Sequence, residues 1–399
     1  MKRTLFMTVG TGVGRSEEKV YSLAHGLLES ILHYKPDFII FFGSYLSENT
    51  VESIKEQYKE RSGSDLDDYQ FITIAEADRF EECFQKIRQE ILNHPNEEII
   101  IDYTSGTKTM TMSAAIASVL YHKKLTLVSG ERGENGLVLS CTEEIKTQSL
   151  YSVYDELLMG KLKEAFNQYR FETALGILKE MVHVENREDY QNLLKAYNHW
   201  DKFNHQDAFD LIKKIDSSQG DEKSFAMNKK FIGTLVNSRN LKEFYLLADL
   251  IKNAQRRCQE GKYDDAVARL YRAVEFIAQT RLKKEYNIDT SDVNLERVPA
   301  FAREQYQKRK EGKRPIGLRE GYKLLRQLGD DVGSGFFNDK RLMDLLYMRN
   351  SSILAHGFQP ITREKLGEVK ELADKTIQMA SVIYPDLEDW MMKAEFMKL

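Results

Sequence analysis

Cysteine is scarce in this chain. Its 399 residues hold three, at Cys83, Cys141 and Cys258, too far apart for a CxxC pair or a zinc spacing. That excludes a disulfide-built scaffold, and a reducing compartment is the simplest reading. Proline is also sparse, at 6 residues, and no Gly/Ser tract interrupts the chain, so disordered linkers are not expected. Long apolar runs are missing: nothing approaches the ~18 residues of a membrane span. The apolar segment near the start breaks off in glycines, too early for a signal-peptide core. A cytoplasmic protein with no membrane partner is expected. Charge of one sign is lacking too. A formal net charge of −4 offers nucleic acid no global attraction, so any such contact must use a local basic patch.

Core-forming bulk is plentiful. Hydrophobic residues make up 42%, with 20 Tyr, 20 Phe and 13 Met, enough for two or three domains of ~100–200 residues.

Strand-length apolar runs alternate with helical patterns over residues 1–150. "TLFMTV" (Thr4–Val9), "DFIIFFGS" (Asp37–Ser44), "YQFITIA" (Tyr69–Ala75) and "EEIIIDYTSGTKT" (Glu97–Thr109) are each followed by a helix pattern. Continuous apolar runs mark strands buried on both faces, hence a mostly parallel, Rossmann-like α/β sheet. "KLTLVSG" and "GLVLSC" are close enough to pair as an antiparallel hairpin.

Ligands of such sheets bind beyond the carboxyl ends of the strands. Three loops there have the composition of anion cradles. The first holds Gly10, Thr11, Gly12 and Gly14. The second holds Gly43 and Ser44. The third holds Asp102, Thr104, Ser105, Gly106, Thr107 and Lys108. Glycine lets backbone N–H groups approach an anion, and a following helix N-terminus favours negative charge. Neither the GxGxxG fingerprint nor a P-loop is present. An ordinary strand–helix turn stays open for any one loop. A nucleotide-dependent enzyme is disfavoured, because no acidic residue follows the first loop at ribose-binding distance in a strand-end position.

Beyond Leu150 the pattern turns helical, with apolar residues every three or four positions. "YRFETALGILKEM" and "FNHQDAFDLIKKI" align Ala174 over Ala208, too few copies for a solenoid. "SSQGDEKS" (Ser217–Ser224) reads as a linker. Arg303 to Arg326 holds nine basic residues against three acidic ones, interleaved with Tyr306 and Tyr322. It is the most nucleic-acid-like stretch of the chain, or else a solvated charged loop. The expected division is 1–150, a helical connecting region 151–225, and a helical bundle 226–399.

"NDKRLMDLLYMRNSSILAH" reads as one helix, capped by Asn338 or Asp339 and ended by Gly357. On such a helix Arg349 and His356 share a face but stand about 10.5 Å apart along the axis. Two copies across a two-fold axis would surround one phosphate with both pairs. Histidine moves protons near neutral pH, a guanidinium stabilises a phosphorane-like transition state, and Asn350 can orient either. No carboxylate cluster stands nearby, so no metal is expected. A helix-end histidine beside an exposed arginine is the plain structural alternative.

The "TVGTG" and "DYTSGTKTM" segments resemble the CARF domain, the CRISPR-associated Rossmann fold, over about residues 1–150. "RNSSILAH" resembles the R-x(4–6)-H motif of HEPN ribonucleases. Together they resemble the CARF–HEPN ancillary ribonucleases of type III CRISPR systems. The resemblance implies a homodimer without a resident cofactor, whose paired N-terminal domains bind cyclic oligoadenylate as an allosteric activator. Gly10, Thr11, Gly12, Gly43, Ser44, Thr104, Ser105, Gly106, Thr107 and Lys108 would form that site. Arg349, Asn350 and His356 would cut single-stranded RNA to 2′,3′-cyclic-phosphate ends. A non-catalytic ligand sensor or RNA-binding adaptor is the alternative.

Overall fold

The computed structural model describes residues 2–11, 17–131, 142–148, 150–215, 220–307 and 315–399. The chain separates into two compact units, residues 1–157 with 181–184, and 158–180 with 185–399.

In the first unit the apolar runs become β1 (Arg3–Val9), β2 (Phe38–Gly43), β3 (Tyr69–Thr73), β4 (Glu98–Asp102) and β5 (Lys124–Ser129), followed by β6 (Glu144–Gln148). The sheet order is β3-β2-β1-β4-β5-β6. Pairing is parallel from β3 through β5 and antiparallel between β5 and β6. Between the strands run α1 (Glu17–Tyr34), α2 (Glu48–Ser62), α3 (Phe80–Asn93) and α4 (Lys108–Leu120).

Strand periodicity decides which face each side chain serves. Leu5, Met7 and Val9 pack with Ala24, Leu27, Leu28 and Ile31 of α1. Phe6 points the other way, into a cluster with Ile40, Phe42 and Ile101, covered by Ile87 of α3 and Met110 and Ala114 of α4. Full burial contributes about 1.5–3 kcal/mol per large apolar side chain, so both faces drive the fold, as the uninterrupted apolar runs require.

The strand paired with β5 comes later than the expected "GLVLSC" run, which lies outside the described residues. The register sets Leu125 opposite Gln148 and Ser129 opposite Glu144. As an edge strand, β6 carries exposed charge, which discourages further pairing and hides the strand from an apolar-run search.

The second unit is all helical. Helix α5 (Tyr151–Asn167) leads into it, followed by α6 (Phe171–Glu180), α7 (Arg187–Asp201), α8 (His205–Ile212) and α9 (Glu222–Asn237). The bundle continues with α10 (Lys242–Gln259), α11 (Tyr263–Tyr286), α12 (Leu318–Gln327), α13 (Asp331–Asn338), α14 (Lys340–Ser351), α15 (Leu366–Ile383) and α16 (Leu387–Lys393). Of the expected linker, residues 217–219 lie outside the described residues, and Glu222–Ser224 already belong to α9.

A buried polar knot joins α7, α8 and α10. The Asp249 carboxylate accepts from Trp200 Nε1 at 3.0 Å and Arg256 Nη2 at 3.3 Å, and sits 2.8 Å from His205 Nε2. Arg256 also donates to Asp201 at 3.0 Å and lies over the Phe396 ring at 3.7 Å. Buried charge is tolerated here because it is paired and hydrogen-bonded. The last residues are held the same way. Buried Asn228 on α9 donates to the carbonyls of Lys393 and Glu395 at 2.9 and 2.7 Å and accepts from the Met397 N–H at 3.0 Å.

The basic stretch 303–326 needs a correction. Its tyrosines do not interleave a nucleic-acid surface, because both are buried. Tyr322 stacks on Phe336 at 3.9 Å between ring centroids and donates to the Val274 carbonyl at 2.7 Å. Tyr306 donates to Gln327 at 2.9 Å. They are core side chains whose hydroxyls find protein acceptors. Residues 308–314 lie outside the described residues.

Candidate functional site

At the carboxyl edge of the sheet, the first and third loops are stitched together. The Gly10 N–H donates to Ser105 Oγ at 3.0 Å. Thr8 Oγ1 donates to the Ser105 carbonyl, and Thr50 of α2 donates to the Gly10 carbonyl at 2.9 Å. A Cβ added at Gly10 would stand 3.1 Å from the Gly106 nitrogen, and Gly106 itself has φ +117°. Gly106 therefore needs glycine for its backbone angle, while a Cβ at position 10 would press on the neighbouring backbone. Gly43 ends β2 level with Val9 of β1, and Ser44 Oγ lies 3.1 Å from Ser47 Oγ. Gly12 and Gly14 lie outside the described residues.

Most hydroxyls of the third loop are spent on the protein. Thr104 Oγ1 accepts from the Val128 N–H at 2.7 Å. Thr107 caps α4 by accepting from Met110 N and donates to the Ala77 carbonyl at 2.6 Å. The Lys108 side chain is exposed at the head of α4 and meets no carboxylate among the described residues. The edge thus offers a rigid, glycine-lined floor, a helix N-terminus and one lysine, a donor set suited to phosphate.

Below the loop lies a carboxyl that the sequence reading counted among the loop's residues. Asp102 is fully buried, accepting from Ser30 and from the Thr104 N–H at 2.7 Å. Burial pushes its pKa up, against the pull of those hydrogen bonds. A carboxyl that titrates higher when folded holds its proton more readily in the native state. Stability therefore falls as pH rises from about 4, the unfolded value, through the folded one. Asp102→Asn keeps an acceptor for Thr104 and cannot titrate. Its melting temperature is expected to depend less on pH across that window than the wild type's; equal slopes in both proteins would refute the assignment.

In the second unit, Arg349 and Asn350 lie in the last turn of α14, but His356 does not lie on that helix. The helix ends at Ser351, so the single-face arrangement of Arg349 and His356 is corrected. Hydroxyls consume the final carbonyls: Ser351 Oγ donates to the Met348 carbonyl at 3.0 Å and Ser352 Oγ to that of Arg349 at 2.9 Å. The chain then folds back. The Gly357 N–H donates to the Ser352 carbonyl at 3.0 Å and the His356 N–H to the Asn350 carbonyl at 3.3 Å. Ser352 bridges to Gln359. This tight return sets residue 356 against residue 350, closer than a continuous helix would.

The Arg349 guanidinium lies 4.8 Å from the Tyr271 ring centroid and donates to Asn350 Oδ1 at 3.3 Å. Arg349 and Asn350 are half-buried and His356 is exposed. Among the described residues, neither Arg349 nor His356 pairs with a carboxylate. The cluster therefore presents a free cation, an amide and an imidazole to solvent, the groups needed to bind a phosphate and move protons around it. Tyr271 escaped sequence reading because nothing in α11 marks it; only the packing of α11 against α14 brings it there.

Comparisons with known proteins place these units. Residues 235–380 match the model of the Csm6 HEPN domain, and residues 154–238 match that of the Csm6 6H domain. Among solved structures, the chain is similar to Enterococcus italicus Csm6 bound to cyclic hexa-2′-fluoro-hexa-dAMP. Identity is 14%, with 99% of each chain covered and a TM-score of 0.68, a likeness of fold. Can2 from Sulfobacillus thermosulfidooxidans in complex with cyclic tetra-adenylate matches over 51% of this chain and 66% of its own, at 11% identity and a TM-score of 0.26, too low to carry an argument. No curated protein matches.

Proposed function

The chain belongs to the CARF–HEPN ancillary nucleases of the Csm6 type, and from that premise we propose a cyclic-oligoadenylate-activated, metal-independent endoribonuclease of type III CRISPR defence, acting in the cytoplasm. Residues 1–150 bind the activator, 151–225 connect, and 226–399 cut single-stranded RNA. The observation that carries this reading is the fold-back of residues 349–357, which gathers Arg349, Asn350 and His356 at an accessible surface inside the segment matching the Csm6 HEPN model.

The chemistry follows from those groups. The RNA 2′-oxygen attacks the adjacent phosphorus and the P–O5′ bond breaks, leaving a 2′,3′-cyclic phosphate and a 5′-hydroxyl. One His356 imidazole takes the 2′ proton, and that of a second copy supplies the proton for the leaving oxygen. Arg349 offsets the charge gathering on the phosphoryl oxygens, and Asn350 holds its guanidinium in place. Acid–base groups and a fixed cation suffice for this step, which supports the metal-free scheme.

A second copy also has surfaces to meet. Met112, Ile116 and Leu120 form an exposed apolar stripe along α4, and Tyr347, Ile353, Leu354 and Phe358 stand exposed around the Arg349–His356 turn. Such patches favour association, and both support a homodimer. The activator, an anionic ring, would rest on the Gly10, Gly43 and Thr104–Lys108 edge. It must bind the cutting-competent dimer more tightly than the resting one, since equal affinity would shift nothing. The bound ring named for the E. italicus structure supports this ligand class.

The test is cleavage of a fluorescent single-stranded RNA with and without cyclic tetra- or hexa-adenylate, each in EDTA. Cutting that requires a ring, survives chelation and leaves cyclic-phosphate ends is expected. Loss on chelation would overturn the metal-free scheme. Ring binding without any cutting would point to a sensor or adaptor instead.

A further inference from the structure

One face of α11 grips the Arg349–His356 loop at two points. Asp264 and Tyr271 are seven residues apart on α11, hence about 10.5 Å apart along one side of it. Tyr271 meets the Arg349 guanidinium through its ring, at 4.8 Å. Asp264 accepts the Ile361 N–H on Oδ2 at 2.8 Å. Asp264 lies in the first turn of α11, whose N-cap is Lys262, and its carboxylate serves the loop rather than the helix end. Its other oxygen, Oδ1, is shielded from solvent and has no hydrogen-bond partner among the described residues.

Between these two grips the loop has little freedom. The Ile353 N–H donates to the Gln359 carbonyl at 3.1 Å, Ser352 bridges to Gln359, and the Ile361 side chain is buried. His356 stands at the turn between Arg349, held at one end, and Ile361, held at the other.

The chemical nature of the upper grip matters. A carboxylate beside Arg349 would neutralise it and compete with phosphate for its N–H donors. An aromatic face instead attracts a cation by its quadrupole. It leaves the charge uncancelled and spends none of the in-plane N–H donors, of which Asn350 takes one. Tyr271 thus fixes the guanidinium without consuming what a scissile phosphate needs.

We infer that α11 is the jig of the RNA-cutting loop, with Tyr271 as the positioning residue of Arg349 and Asp264 as the anchor of the loop's far end. The inference rests on the ribonuclease reading above. It assigns roles to two residues outside the R-x(4–6)-H motif.

The experiment compares Tyr271→Leu with Tyr271→Phe in the full-length chain, at saturating cyclic oligoadenylate and saturating single-stranded RNA. Displacing a catalytic group by ~1 Å can cost about 100-fold, so Tyr271→Leu is expected to lower kcat by about 10- to 100-fold. KM and the rise in melting temperature on activator binding should stay near wild type. Tyr271→Phe keeps the ring face and should stay within about 3-fold of wild type. Asp264→Asn, which keeps a carbonyl acceptor for Ile361, should retain more kcat than Asp264→Ala. Arg349→Ala separates the two layers. If Arg349→Ala is inactive while Tyr271→Leu turns over like wild type, the jig is wrong and the ribonuclease reading stands. If Arg349→Ala itself cuts like wild type, both fall. A Tyr271→Leu protein whose melting temperature and kcat both drop, with Tyr271→Phe no better, would reduce Tyr271 to packing and overturn its positioning role.

Discussion

Arg349→Ala is expected to reduce activated RNA cleavage on the order of 1000-fold, the scale of losing one preorganised charge-stabilising donor. The fold should barely notice. Arg349 is half-buried and makes no ion pair with the described residues; what it loses is the Tyr271 contact and one 3.3 Å hydrogen bond to Asn350. A partly exposed cation–π contact contributes about 0.5–1 kcal/mol, a shift of a few degrees at most in a domain of this size. Single-turnover cleavage at saturating activator, beside a melting curve, makes the check. A variant that melts normally, binds the ring and does not cut would place Arg349 at the chemistry. A variant that cuts normally would remove the site.

Gly357→Ala should come close to that loss by a different route. A Cβ at position 357 would stand 1.7 Å from the Ser351 carbonyl oxygen and 2.2 Å from its carbonyl carbon. These are backbone atoms, so no flexible side chain can yield. The turn has to open, and the Gly357 N–H bond to Ser352 and the His356 N–H bond to Asn350 open with it. His356 then leaves its place against Asn350, and misplacement of a catalytic group by ~1 Å is enough for about 100-fold. Gly367→Ala supplies the control. Gly367 lies in the first turn of α15 with open space around it, and alanine is favoured over glycine in a helix, by up to about 0.5–1 kcal/mol in its interior. The first variant should lose turnover and the second keep it, with a slightly higher melting temperature. Equal turnover in both would mean the fold-back does not position His356.

The doubly wound sheet was legible because its physics is local. Runs such as "FIIFFG" and "EIIID" are apolar at consecutive positions, and only a strand buried on both faces asks for that. The edge strand β6, "EIKTQ", carries no such signature, since half of it faces water. At the candidate site the residue types of Arg349, Asn350 and His356 could be read from spacing, but their arrangement could not. The apolar rhythm of "LLYMRNSSILAH" runs on past the real end of α14. What ends the helix is the pair of serine hydroxyls turning back on their own carbonyls, together with a glycine passing almost in contact with Ser351. Tyr306 and Tyr322 mislead for the same reason. Between basic residues they read as stacking platforms, and only the packing of α11, α12 and α13 shows that their rings face inward. Tyr271 and Asp264 lie some 80 to 100 residues before the loop they hold, a relation no window along the chain can display.

The seam between β1 and β4 is where strand order reverses, and an open seam of that kind would admit the tail of a linear dinucleotide edge-on. In this chain Gly10 and Gly106 meet across it in close contact, Ser105 bolts the two loops together, and Thr50 of α2 holds the Gly10 carbonyl. A guest cannot wedge itself between them. On the ligand site proposed above, a guest would rest across the loops rather than between them. That placement would suit the proposed ring, which could cover the seam without threading into it.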